Sequence, residues 1–415
     1  MTTPPDPLHH DTPGPDHSLQ ALPQPVMPTG LPAVDDDSAA HSRRVEQHLL
    51  EHLSQAANCF TSFEDWMAQA LYAPGLGYYA AGNTKFGSAS PTGDFTTAPE
   101  MTPVFGQVLA RQVAQILQST STHTVLEFGA GTGALAAALI PALKELGVEV
   151  EYRILELSPD LVARQAERLA PLSTSVSWLT ELPASFEGCV IANEVLDAMP
   201  ATLFRWNESG QLTELGVRAR PGATPPFAWA ERPAGPALQT AVAERMPPLP
   251  GYRSEINLQA EAWIRQMGSW LTKGAALLID YGFPQREYYH PQRATGTLMC
   301  HFRHHSHDQA LVLPGIQDIT AHVDFTAMAD AALAGGLDVL GYTTQARFLL
   351  NAGLPEILQS QMANPGSPAL QATLSAVQKL VSEAEMGELF KVLAVGRNID
   401  PPLAGFIRGD RRDTL

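Results

Sequence analysis

The chain has 415 residues, 45% of them apolar, which is ample for a buried core and leaves room for about two or three average domains or one core with large insertions. A formal net charge of −17 argues against a general nucleic-acid or anionic-membrane binder and suits a basic partner. Three widely separated cysteines, Cys59, Cys189 and Cys300, suggest neither a disulfide framework nor a Cys-x-x-Cys metal site; with no stretch reading as a membrane helix or secretory leader, the expected location is cytoplasmic.

Residues 1–44 hold nine prolines, six aspartates and few large apolar groups, a composition that cannot offset chain entropy, and they read as a disordered acidic tail. From Val45 the periodicity predicts two helices, the first burying Val45, Leu49, Leu50 and Leu53 and the second Phe63, Trp66, Met67 and Ala70. The segments Tyr72–Tyr79 and Phe86–Pro103, rich in Gly, Pro and hydroxyls, read as loops that cover or line something. Thr102 as N-cap and Pro103 at the first helical position then open a long amphipathic helix carrying Val104, Phe105, Val108, Leu109, Val113, Ile116 and Leu117.

Thr124-Val-Leu-Glu-Phe-Gly-Ala-Gly-Thr-Gly-Ala-Leu135 reads as strand, tight turn and helix. Gly129, Gly131 and Gly133 allow positive φ and close approach of a ligand, and the free N–H groups of the helix beginning near Ala134 face whatever sits above the turn. The third glycine follows the second by two residues, not the three of the dinucleotide fingerprint, and Glu127 stands two before the first. This favours S-adenosylmethionine over NAD, although a purely structural turn would use the same glycines.

A helix from Ala134 to Leu146 and a strand within Glu149–Leu157 complete a βαβ unit. Glu156 lies 23 residues beyond Gly133, the distance at which an acid reaches a bound ribose; a solvent-facing edge glutamate is the competing reading. Ser158-Pro159 cap a helix to Leu169, strands follow at Val176–Leu179 and Gly188–Ala192, and Phe186 or a neighbour is a candidate adenine contact. The fourth strand runs into Asn193 and Glu194, at the carboxyl end where open α/β sheets bind ligands. A helical continuation would bring Asp197 onto the face of Asn193, making a polar, acidic cluster suited to a guanidinium. An N-cap asparagine followed by acids favoured by the helix dipole explains the same residues equally well.

The insertion from Ala201 to about Asn257, with a hairpin at Leu203–Trp206 and Leu212–Val217, reads as a substrate-recognition subdomain. A helix from Gln259 to Leu271 leads to the apolar strand Ala275–Tyr281, whose Asp280 and Tyr281 reach the crevice rim. His301, His304, His305, His307 and Asp308 have ligand chemistry but match no closed metal site, so they read as a hydrogen-bonding substrate loop and no metal is expected. His322 and Asp324 either orient each other near the substrate or leave Asp324 to cap a helix from Phe325 to Ala334. Leu337–Tyr342 and Leu389–Val395 would complete the sheet as an edge pair, with helices between 355 and 385.

Taken in order, Tyr72-Ala-Pro-Gly-Leu-Gly-Tyr-Tyr79, Gly93-Asp-Phe-Thr-Thr-Ala-Pro-Glu100, Leu126-Glu-Phe-Gly-Ala-Gly-Thr-Gly133, Ala192-Asn-Glu-Val-Leu-Asp-Ala-Met-Pro200, Ile279-Asp-Tyr-Gly282, the histidine-rich stretch Gly296–Asp308 and Asp318–Phe325 resemble the MidA-like methyltransferases. The likeness runs from about Val45 to Arg397. It implies an α/β, Rossmann-like class I methyltransferase with a seven-stranded, mostly parallel sheet, helices on both faces and inserted substrate-recognition segments. The expected layout is an N-terminal helical segment and active-site loop at 45–120, a core at 121–398 with insertions at about 201–257 and 285–322, and a C-terminal tail at 399–415.

The resemblance implies S-adenosyl-L-methionine as cofactor, with Gly129, Gly131 and Gly133 beneath it, Glu156 on its ribose, and Glu127 and Asn193 in the same site. It makes Asp94, Thr97 and Glu100 polar members of an active-site loop, to which the strand-end position of Asp280 and Tyr281 and the substrate-side reading of His322 add three further candidates. Mitochondrial members of the family dimethylate a protein arginine in a respiratory complex I subunit. The expected partner is therefore a protein with an accessible arginine, and the expected chemistry is attack of its nitrogen on the sulfonium methyl with Glu194, Asp197 and Asn193 as the catalytic set. An assembly scaffold and a small-molecule methyltransferase are the alternatives; nucleic acid and membrane are not expected as partners, and a homodimer is left open.

Overall fold

The computed structural model describes residues 22, 24–81, 97–172, 175–361, 367–400 and 402–415. Asp94, expected in the active-site loop, and residues 1–21 of the expected tail lie outside the described residues.

The first helix, α1 (Asp36–Gln55), starts well before Val45, which corrects the boundary of the tail. The acids that resemble tail composition have a local use: Asp35 accepts the backbone N–H of Ser38 at 2.9 Å as N-cap, and Asp36 and Asp37 occupy the first turn, where negative charge is favourable. The chain continues through β1 (Thr61–Ser62), α2 (Phe63–Tyr72), α3 (Ala98–Met101) and α4 (Pro103–Thr120), the last capped by Thr102 as its sequence predicts. The unit that follows is β2 (Thr124–Phe128), α5 (Ala134–Glu145), β3 (Glu151–Leu155), α6 (Pro159–Leu169), β4 (Val176–Leu179) and β5 (Phe186–Asn193).

The insertion folds as β6 (Thr202–Trp206), β7 (Leu212–Ala219), β8 (Phe227–Pro233), α7 (Pro236–Ala243) and β9 (Arg253–Ile256). After α8 (Leu258–Trp270) and β10 (Leu271–Phe283) come α9 (Gln285–Tyr288), β11 (Met299–Phe302), β12 (His305–His307), β13 (Asp318–Thr320) and β14 (Val323–Asp324). The remainder is α10 (Phe325–Ala334), β15 (Asp338–Thr344), α11 (Gln345–Asn351), α12 (Leu354–Gln361), α13 (Pro368–Val381), α14 (Met386–Leu389) and β16 (Phe390–Arg397).

The principal sheet has the order β15-β16-β10-β5-β2-β3-β4, with the short β14 added beside the end of β10. Pairs from β10 to β4 are parallel, whereas β16 runs antiparallel to both neighbours. The expected edge pair is thus divided: β15 is the edge and β16 is interior. Alternation in the central strands sends Cys189, Ile191, Leu277 and Ile279 into a core shared with α4 and α5, and Val190, Ala192, Ala276 and Leu278 into a core shared with α8 and α10. Both faces are therefore buried, as continuous apolar strands require. Because β3 and β5 flank β2, the chain reverses direction across the sheet there, and the crevice opens at the carboxyl ends of β2 and β5.

The N-terminal segment is not one unit. Val45, Leu49, Phe63 and Trp66 of α1 and α2 share a core with Leu203, Val217, Phe227, Cys300 and Ile319, whereas α4 packs on the principal sheet. β1 joins β7 beside β6, so the first helices and the insertions share one sheet and one core.

Two further expectations fail. Phe186 is not a loop residue near adenine: it begins β5 at the amino end of the sheet, 3% exposed, packed edge-on to Trp270. Residues 399–415 are not a loose tail either, since Leu403 and Phe406 are buried and Asn351 donates to the carbonyls of Gly405 at 3.0 Å and Arg408 at 2.8 Å. Gly341 makes the room: a Cβ there would stand 2.3 Å from Phe406 Cγ.

Candidate active site

Gly129, Gly131 and Gly133 all take positive φ, at 62°, 54° and 82°, and carry the chain from β2 into α5. Among the described residues a Cβ on Gly131 would meet nothing within 4 Å, so within them the turn presents open backbone to the crevice. The turn is tied to the next strand by Gln165 of α6, a completely buried side chain that sequence reasoning missed. Its Nε2 donates to the carbonyl of Gly131 at 2.9 Å and to Glu156 Oε2 at 3.2 Å, while Trp178 Nε1 donates to its Oε1 at 2.8 Å. Only its position on the inner face of α6 hinted at this. Glu156 also accepts the Ser158 N–H at 2.9 Å and so stands fixed at the end of β3, beside the turn. Glu127 lies within β2, 3% exposed, where Tyr152 donates its hydroxyl to Oε2 at 2.7 Å and burial pushes the carboxyl up to about 7.

The short α3 bridges the site. Glu100 accepts the hydroxyl of Thr132, inside the glycine turn, and pairs with Arg168 of α6 at 3.1 Å; it faces the turn instead of the acids beyond β5. Thr97 is the N-cap position of α3, yet its side chain makes no capping bond. Ala98, the first residue of α3, is buried and packs in the core shared with α4 and α5.

The expected helix after Asn193 does not form. Glu194 takes a left-handed φ of 53°, and its N–H goes to the carbonyl of Ile279 at 2.9 Å. The N–H groups of Leu196 and Asp197 are met by Asp280 Oδ2, at 2.9 and 3.3 Å, instead of by helical carbonyls. Asn193, Glu194, Asp197 and Asp280 nevertheless converge. Asn193 Nδ2 donates to Glu194 Oε1 at 3.0 Å. Burial, reinforced by the charge of Asp197, pushes Glu194 up to about 8; burial pushes Asp197 up to about 6 and, with both neighbouring acids, holds Asp280 well above the usual carboxylate range.

Beside these acids, Asn193 Oδ1, Asp197 Oδ1, Tyr281 Oη, Thr320 Oγ1 and His322 Nδ1 are buried without a hydrogen-bond partner among the described residues. Such atoms are costly unless something polar binds them. His322 stacks on Phe283 at 5.4 Å and meets Tyr281 edge-on at 5.0 Å; burial, then Arg293 and Lys391, lower its pKa to about 4, so it is neutral. Asp324 caps α10 by accepting the Ala327 N–H at 3.2 Å, the second of its two expected roles. Two groups absent from the expected set also reach the cluster: Tyr79 donates to Asp318 Oδ1 at 2.7 Å, and Tyr72 to the carbonyl of Ala198 at 2.9 Å.

The histidine-rich stretch is the hairpin β11–β12, turned by Arg303 and His304 in left-handed conformations. Among the described residues no group of three or more His, Cys, Asp or Glu side chains is disposed to hold a metal ion.

A glycine turn at the switch point of a parallel sheet, with polar groups converging beside it, defines an α/β enzyme that works on a nucleoside-type cofactor. The chain belongs to the S-adenosyl-L-methionine-dependent methyltransferase family, whose model matches residues 108–343, and S-adenosyl-L-methionine is its cofactor. It is 46% identical to a Burkholderia thailandensis protein solved with S-adenosyl-homocysteine bound, a match covering 93% of this chain and 100% of that one with a TM-score of 0.87. It is 27% identical over 394 residues to the mitochondrial protein arginine methyltransferase NDUFAF7 of Danio rerio, covering 85% of this chain and 88% of the relative. The Homo sapiens protein of that name is 26% identical over 373 residues, covering 80% and 79%. These curated relatives are mitochondrial, which overturns the cytoplasmic expectation. Among the described residues no helix is long and apolar enough to cross a membrane.

Proposed function

We propose that this methyltransferase acts on an arginine side chain of a protein substrate, on a sheet of the class I type. The observation that carries the reading is the buried pocket of Glu194, Asp197 and Asn193, whose unsatisfied atoms include two acceptors. None of the ion pairs among the described residues involves Glu194, Asp197 or Asp280. A planar guanidinium with several N–H donors matches this buried acid cluster and its unpaired acceptors, and its charge favours the ionised form of acids that burial alone holds protonated. The protein arginine methyltransferase relatives support the same substrate class. A respiratory complex I subunit is the target implied by the resemblance to MidA-like enzymes.

The glycine turn fits the cofactor, because Gly131 leaves open space among the described residues and Glu156 stands ready for a ribose at the end of β3. When bound, S-adenosyl-L-methionine supplies an activated methyl group whose leaving group is already built in. The work left to this chain is orientation and desolvation. Glu194 and Asp197 hold the guanidinium and draw its charge onto the nitrogens they bind, leaving the free nitrogen more nucleophilic. Their raised pKa values also suit them to take the proton which that nitrogen sheds. Asn193 orients Glu194, and Asp280 positions the turn that carries Asp197.

The test is transfer of labelled methyl from the cofactor to proteins of a mitochondrial lysate, followed by hydrolysis and amino-acid analysis. Label in methylarginine is expected, and Glu194→Gln should lose transfer while keeping its affinity for S-adenosyl-homocysteine. Label confined to lysine or to small molecules, or full activity in Glu194→Gln, would overturn the reading.

A further inference from the structure

We propose that the ring of Tyr72 is a specificity-determining platform at the mouth of the acidic pocket, against which the flat face of the substrate guanidinium lies. This rests on the arginine reading above and deepens it. Tyr72 is the last residue of α2, and 42% of it is exposed, although its hydroxyl end is anchored on the carbonyl of Ala198, the residue next to Asp197. A second contact fixes the plane of the ring: it stacks on Tyr79 at 5.4 Å and 24°. Tyr79 is itself held, by its hydroxyl on Asp318 and by Tyr78 packed edge-on at 5.0 Å.

The side chain is therefore rigid and open at the same time. A ring kept only for the core would be covered, as Trp66 and Phe63 of the same helix are. A ring kept only for its hydroxyl would not need the stacked partner. Its neighbours decide what it suits: Asp197 and Asp318 lie close enough to push the phenol upward beyond the effect of burial, so the rim carries negative potential. An electron-rich face in that setting attracts a delocalised planar cation, and it discriminates against a neutral side chain of the same shape.

The experiment uses the full chain saturated with S-adenosyl-homocysteine. Its probes are a blocked Gly-Arg-Gly peptide and the same peptide with citrulline, the neutral isostere, with binding followed by calorimetry or ligand-observed NMR. Wild type should prefer arginine. Tyr72→Leu should cut that preference roughly three- to thirtyfold, the range of a cation over an aromatic face, with unchanged affinity for S-adenosyl-homocysteine. Tyr72→Trp should keep the preference, and Tyr72→Phe, which loses only the anchor to Ala198, should keep most of it. An unaltered preference in Tyr72→Leu would overturn the platform, as would a loss in Tyr72→Phe as large as in Tyr72→Leu. Wild type binding both peptides equally would instead refute the arginine reading itself.

Discussion

The carboxylate of Asp280 accepts the backbone N–H of Leu196 at 2.9 Å, across 84 residues of chain. The same oxygen takes the N–H of Asp197, so an acid at the end of β10 satisfies donors that a helix would otherwise pair internally. Asp280 is therefore a positioning residue for the loop bearing Asp197. Asp280→Ala leaves buried N–H groups unmet, at about 1–3 kcal/mol each, and should lower unfolding free energy in urea accordingly. Methyl transfer should fall further than affinity for S-adenosyl-homocysteine; an equal loss of both would mean that Asp280 serves the cofactor directly.

The acidic pocket should make stability depend on pH. Folding raises Glu194 to about 8 and Asp197 to about 6, so between the ordinary carboxylate range and these values the folded chain binds more protons than the unfolded one. Stability contributed this way is full below about pH 4 and is lost as pH rises through 6 and 8, at no more than about 1.4 kcal/mol per pH unit for each group. Thermal melts across this range should show the decline, and Glu194→Gln should flatten its upper part. A profile identical to wild type would remove the raised Glu194 from the account.

Gly131→Val should leave the fold standing but abolish cofactor binding. A Cβ there meets no described atom within 4 Å, so the penalty to folding is chiefly the left-handed conformation at φ 54°, about 1–2 kcal/mol. The added bulk projects into the crevice. Calorimetry with S-adenosyl-L-methionine reads the result, and unchanged affinity would move the pocket elsewhere.

Arg168→Met removes one side of the contact between α3 and the glycine turn. The pair is partly exposed and worth at most about 1 kcal/mol, so release of S-adenosyl-homocysteine in stopped flow should quicken by no more than about fivefold. No change would show that α3 is held mainly by the burial of Ala98.

Gly341→Ala should destabilise the chain by about 1–3 kcal/mol, because the new Cβ overlaps Phe406, which packs edge-on against Phe348 at 5.4 Å. Denaturant unfolding measures it. A neutral substitution would return residues 399–415 to the status of a tail.

What the sequence determined by itself was local. The caps at Thr102, Ser158 and Asp324, the apolar runs of β5 and β10 and the glycines of the turn follow from chemistry within a few residues, so each lies where its pattern predicts. The polar cluster of Asn193, Glu194 and Asp197 was legible from their place at and after the end of β5, although the helix expected to gather them does not form and Asp280, expected only at the rim, is what holds the turn. Tertiary structure decided the partners. Gln165 beneath Gly131, Glu100 on Arg168, Tyr72 on Ala198 and the union of α1 and α2 with the insertion join segments far apart in the chain. Neither spacing nor composition encodes such contacts; they exist because buried polar atoms must be paired and apolar faces covered by whatever the fold brings alongside.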